Sequence, residues 1–127
     1  MEQHICIISI GSNTNRESNI KLAQKQLAIH FPGICFGKEM DTIPIGMQNT
    51  AHFTNQMAKA SSRLTIEEIK KIFKQIEAEA GRTPEEKKKE IIKLDIDLFM
   101  YGSDVLKKDD LKKDFIIEGL EEFGIIV

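Results

Sequence analysis

An α+β domain in the order β-α-β-β-α-β is what this 127-residue sequence predicts, and three observations predict it. A nearly continuous apolar run, "HICIISI", opens the chain, and an alternating one, "KLDIDLFMY", lies around residue 97. Two segments with helical apolar spacing separate the strand-like stretches. Glycine, proline and asparagine fall between each pair of elements, where turns are needed.

Each element has its own justification. "HICIISIGSN" reads as a central strand, because a run apolar at nearly every position suits burial on both faces. Gly11-Ser12-Asn13 punctuates it as a turn. A helix starts near Asn15 or Ser18, with Ile20, Ala23, Leu27 and Phe31 on one stripe, and Pro32-Gly33 ends it. "ICFGKEMDT" is the second strand. Ile43 is biased towards an extended conformation by Pro44, and 46–51 is a loop. "AHFTNQMAKAS" is the third strand, with Phe53, Asn55 and Met57 on one face. Thr65 and Glu68 form a capping box for the second helix, whose stripe is Ile66, Ile69, Phe73, Ile76 and Ala80, with Gly81 as its stop. "RTPEEKKKEIIK" is polar and charged and reads as a surface loop. The fourth strand follows it. This order is the split βαβ, or ferredoxin-like, plan, with both helices on one face of an antiparallel sheet and the other face open.

The totals describe a single domain, 1–127, large enough to bury a core. Its 41% hydrophobic and 30% charged residues are ordinary for a globular chain. A net charge of −2 argues against a nucleic-acid partner or an anionic membrane, and "ICIISI" is too short to span a bilayer. Cys6 and Cys35 lie in apolar runs without metal spacing and read as buried, reduced thiols of a cytoplasmic protein. A monomer or weak dimer is expected.

The alternating strand raises the functional question. Asp95 and Asp97 share a face, about 6.5 Å apart at Cα, although strands disfavour aspartate. From the residues alone two readings stay open. The pair is either solvent-facing sheet surface or half of a Mg²⁺ site, completed by water and a phosphate chain. Like charges so close repel, which favours a cation between them.

Five pieces in fixed order carry a resemblance: "ISIGSN" at 8–13, "DTIPIG" at 41–46, "FTN" at 53–55, "IEAEAGR" at 76–82 and "LDIDLFMYG" at 94–102. Together they resemble the 6-hydroxymethyl-7,8-dihydropterin pyrophosphokinase family of folate biosynthesis, from residue 5 to about residue 106. The resemblance implies a ferredoxin-like fold and transfer of the β,γ-diphosphate of ATP to the pterin hydroxymethyl group. It also implies two Mg²⁺ ions held by Asp95 and Asp97, which with Arg82 are the catalytic residues. The implied pterin site comprises Gly11, Ser12, Asn13, Thr42, Ile45, Phe53 and Asn55, with Asn55 able both to donate to and to accept from the ring edge. Glu77, Arg82 and Lys93 are implied near the nucleotide.

Other roles remain available to these residues. Gly11 to Asn13 fit a plain strand-to-helix turn, Phe53 and Ile45 fit a core, Glu77 a solvated helix face, and Arg82 a helix-dipole partner. The sequence also departs from the family's pattern. Pro84 and Ile92 stand at arginine positions, Lys89 at a tryptophan position and Phe115 at a histidine position, and no arginine follows Arg82. The tail, 103–127, is divergent and shorter than the family's. Lys87, Lys88, Lys89 and Lys93 either supply point charges in place of the arginines or are simply solvated. The expectation is thus a Mg-dependent pyrophosphokinase of weak activity, or an impaired relative that binds pterin or nucleotide without efficient turnover.

Overall fold

The computed structural model describes residues 2–126. Five strands form one antiparallel sheet in the order β2-β3-β1-β4-β5. β1 (His4–Ser12) lies between β3 (Phe53–Ser62) and β4 (Asp95–Tyr101). β2 (Cys35–Thr42) pairs outside β3, and the two-residue β5 (Asp104–Val105) outside β4. Apart from one short extra helix before β4, the elements from β1 to β4 reproduce the expected β-α-β-β-α-β plan, an α+β fold consistent with a ferredoxin-like arrangement.

α1 (Arg16–His30) and α2 (Ile66–Glu79) cover one face. Ile20, Ala23 and Leu27 of α1 and Ile69, Phe73 and Ile76 of α2 bury against Ile8, Ile10, Ala58, Ile96 and Leu98. The capping box of α2 is complete. Thr65 Oγ1 accepts the Glu68 N–H at 3.2 Å, and a Glu68 carboxylate oxygen accepts the Thr65 N–H at 2.9 Å. Gly81 ends this segment at φ +89°.

Several expectations are corrected. The polar stretch after Arg82 is not all loop: α3 (Pro84–Lys88) forms there, because Thr83 Oγ1 accepts the Glu86 N–H and Pro84 sits at the first helical position. β3 begins at Phe53 rather than at Ala51. The second sheet face is not open along its whole length. After a 3₁₀ turn at Lys108–Lys112, α4 (Asp114–Glu122) seats Ile116 and Leu120 on Ile7, Met57, Phe99 and Met100. The alternation of β4 also breaks. A bulge opposite Ile7 and Ile8 puts Met100 beside Phe99 under α4, and turns Tyr101 to the other face, where its hydroxyl donates to the Leu64 carbonyl at 2.7 Å. Cys6 is buried as expected, whereas Cys35 is exposed because it opens the edge strand β2; both are free thiols.

α4 sits so close to the sheet that a Cβ on Gly119 would overlap Met57 Cγ and come within 3.0 Å of its Cβ. Gly119→Ala is therefore expected to destabilise the fold, although alanine suits a helix better. Overpacking costs about 1–3 kcal/mol and the helix propensity returns about 1 kcal/mol, leaving a net loss of up to about 2 kcal/mol. Urea denaturation measures it, and an unchanged midpoint would mean that Met57 repacks freely.

Candidate active site

The sheet places four predicted residues in two adjacent rows. Gly11 on β1 pairs with Asn55 of β3 on one side and Asp95 of β4 on the other. One row on, Ser9 stands between Met57 and Asp97. Directly paired residues share a face, so Asn55, Asp95 and Asp97 all point to the face that α4 covers only at its far end. Gly11 keeps the first row low, because a Cβ there would come within 3.0 Å of Asn55 Nδ2 and 3.8 Å of the Phe53 ring. Asn55 is nearly buried, and Thr42 Oγ1 donates to its side-chain oxygen, which fixes the amide. Phe53, Asn55, Thr42, Gly11 and the two aspartates are thus brought together.

Asp95 and Asp97 differ in their surroundings. Asp95 Oδ1 accepts from Arg82 Nη1 at 2.8 Å. The same guanidinium nitrogen lies 3.0 Å from Glu77 Oε2 and 3.3 Å from the Leu94 carbonyl oxygen. Glu77 also accepts the Ile96 N–H at 2.8 Å. Burial raises the Glu77 carboxyl's pKa, and the Ile96 N–H and Arg82 oppose that rise. Among the described residues, Asp97 is paired with only the Lys107 ammonium, 3.8 Å from its Oδ1. Burial, and after it the charge of Asp95, pushes the Asp97 carboxyl up to about 6, a rise that Lys107 offsets only in part. A cleft of about 620 Å³ opens here, lined among others by Asp97, Lys107, Lys108 and Lys113.

Other predicted residues lie elsewhere. Ser12 is buried and its hydroxyl donates to the Thr14 carbonyl. The Asn13 side chain is committed to backbone: Nδ2 donates to the Glu90 carbonyl at 2.8 Å and Oδ1 accepts the Ile92 N–H at 2.7 Å. Ile45 is 91% exposed on the β2–β3 loop. Lys93 turns towards Glu86 at 3.2 Å and the Gly81 carbonyl at 3.4 Å, and Lys87, Lys88 and Lys89 are exposed. Pro84 opens α3, Ile92 is tied through its backbone to Asn13, and Phe115 packs into the apolar cluster under α4. None of these three supplies a cation. Lys107 and Glu90 are the neighbours of the site that sequence reading missed. Lys107 lies in the tail, which carries no matched motif, and no local pattern marks either residue.

The donor set suits a hard divalent ion. Two carboxylates converge, one of them held above its normal range by burial and a like charge. Among the described residues no group of three or more His, Cys, Asp or Glu is placed to hold a metal ion. Mg²⁺ fits, since it takes one or two carboxylates and fills its shell with water and substrate phosphates.

A sequence model of the 7,8-dihydro-6-hydroxymethylpterin-pyrophosphokinase family matches residues 7–124. The chain belongs to this family. No curated protein matches it. The matched range takes in Asn55, Arg82, Asp95 and Asp97, and extends through α4. Membership in the pyrophosphokinase family carries an ATP-dependent pyrophosphokinase role in folate biosynthesis, with pterin and ATP as the family's ligands and Mg²⁺ as its metal. Among the described residues no helix is long and apolar enough to cross a membrane.

Proposed function

We propose that this chain, a cytoplasmic monomer or weak dimer, transfers the β,γ-diphosphate of ATP to the hydroxymethyl oxygen of 6-hydroxymethyl-7,8-dihydropterin. The observation that carries this reading is the half-buried Asp95–Asp97 pair facing Asn55 across Gly11. Asn55, fixed by Thr42, binds the ring edge, and Phe53 and Ile45 flank the ring. Gly11 leaves the floor flat for it. Arg82 aims Asp95 and keeps Glu77 compensated. Two Mg²⁺ ions held by Asp95 and Asp97 would neutralise the phosphate charge and favour loss of the hydroxyl proton. The pterin oxygen forms a bond to the β-phosphorus, the bond from that phosphorus to the oxygen bridging the α-phosphate breaks, and AMP leaves with the bridging oxygen.

A specific observation favours a second reading. Pro84, Ile92 and Phe115 supply no cation, and Lys93 is engaged by Glu86. An impaired relative that binds pterin or nucleotide without efficient turnover follows from that loss, since one missing transition-state donor costs about 10²- to 10³-fold. Incubation with ATP, Mg²⁺ and the hydroxymethyl dihydropterin decides between them. Slow AMP release that depends on the pterin is the expected result. Pterin binding by calorimetry with no AMP selects the impaired relative, and binding of neither ligand overturns both readings.

A further inference from the structure

Glu90 has a backbone φ of +60°, in the left-handed region that non-glycine residues seldom adopt. From there it reaches two other segments. One carboxylate oxygen, Oε1, accepts the N–H groups of both Gln48 and Asn49, each at 2.8 Å. Its carbonyl oxygen accepts from Asn13 Nδ2 at 2.8 Å and Asn49 Nδ2 at 3.0 Å. Asn13 in turn brackets Ile92, accepting its N–H and donating to its carbonyl. One residue therefore joins the β2–β3 loop, the α3–β4 loop and the turn after β1.

The β2–β3 loop has little else to hold it through apolar burial. Its isoleucines, Ile43 and Ile45, are 72% and 91% exposed. A bond from a backbone N–H to a carboxylate is among the stronger kinds, and here one oxygen takes two. Left-handed backbone at a glutamate is retained only where surrounding contacts over-determine it, and these four bonds do so.

We propose that Glu90 is a positioning residue for the pterin ring. It fastens the loop that follows Thr42 and carries Ile45 against the α3–β4 loop, so that loop is held in place before the ring arrives. This rests on the pterin reading above. The nucleotide side, at Asp97 and Lys107, does not depend on Glu90.

Glu90→Gly and Glu90→Gln test it. Glycine tolerates the left-handed backbone, so Glu90→Gly should still fold while freeing the Gln48 and Asn49 amides. Its affinity for 6-hydroxymethylpterin should fall about tenfold, the scale of one lost charge-assisted bond. Its affinity for β,γ-methylene-ATP with Mg²⁺ should stay within about twofold, and hydrogen exchange at the two amides should quicken. Glu90→Gln keeps an oxygen acceptor and should restore most of the pterin affinity. Equal loss of both ligands, unchanged exchange at the two amides, or unchanged pterin affinity in Glu90→Gly would overturn this role alone. A wild-type protein that binds no pterin would overturn the functional reading, and this role with it.

Discussion

Asp97→Asn should lower pterin-dependent AMP formation by at least about 10²-fold and abolish the Mg²⁺ dependence of nucleotide binding. The size follows from removing a group that holds charge opposite the reacting phosphates, which commonly costs about 10²- to 10³-fold. The change is nearly isosteric, so loss of fold is not the cause. A pH signature separates this role from packing. The folded carboxyl titrates at about 6, against about 3.9 for an unperturbed aspartate. Mg²⁺ and the proton compete for it, so Mg²⁺-nucleotide affinity should climb from pH 5 to pH 7 and level off above. The sign for stability is the reverse. Without metal the folded state keeps its proton up to about 6, so ionising Asp97 destabilises the fold as pH rises through that window. Asp97→Asn removes that penalty. Metal-free melts should show the wild type losing stability relative to the variant between about pH 4 and pH 6.5, with little further change above. Undiminished Mg²⁺-dependent nucleotide affinity in the variant would end the metal assignment.

Arg82→Ala should produce the largest loss of stability. Its guanidinium is 19% exposed and Glu77 is 14% exposed, so the pair is well removed from water. Breaking such a pair strands a charge, at about 3–5 kcal/mol when fully buried. Partial exposure brings the expectation to about 2–3 kcal/mol, read by urea denaturation. Activity should fall too, because Asp95 loses the donor that aims it. Arg82→Lys should rescue only part of either effect. The lysine chain is shorter, and its ammonium is a point charge that does not reach the place Arg82 Nη1 takes between Glu77, Asp95 and the Leu94 carbonyl. Adding Glu77→Gln to Arg82→Ala should recover most of the lost stability, since the stranded charge is then gone. A neutral Arg82→Ala would reduce this arginine to the helix-dipole partner that the sequence also allowed.

The parts of the fold legible in the sequence are those fixed by nearby residues. The capping box at Thr65 and Glu68 spans three positions, and the stop at Gly81 needs only its own backbone freedom. The facing of Asp95 and Asp97 followed from strand alternation and held as far as Phe99, where the bulge begins. α4 was illegible because its seat, Met57 and Phe99, lies on distant strands. Cys35 sits in an apolar run but on an edge strand, where the run does not decide burial. In the candidate site, Asn55, Thr42 and the aspartates came from motif and pattern. Lys107 and Glu90 did not. Glu90 works through Asn49, 41 residues away, and through Asn13, 77 residues away, and no periodicity encodes such pairings.

The bulge in β4 gives that strand two independent tenants on a single surface. Asp95 and Asp97 before it aim carboxylates outward; Phe99 and Met100 at it belong to the hydrophobic seal beneath the last helix. A replacement of the whole C-terminal segment that preserves Phe99 and Met100 therefore leaves the aim of Asp95 and Asp97 untouched. Chimeras that exchange this segment between relatives are the natural way to tune nucleotide handling while the pterin half stays constant.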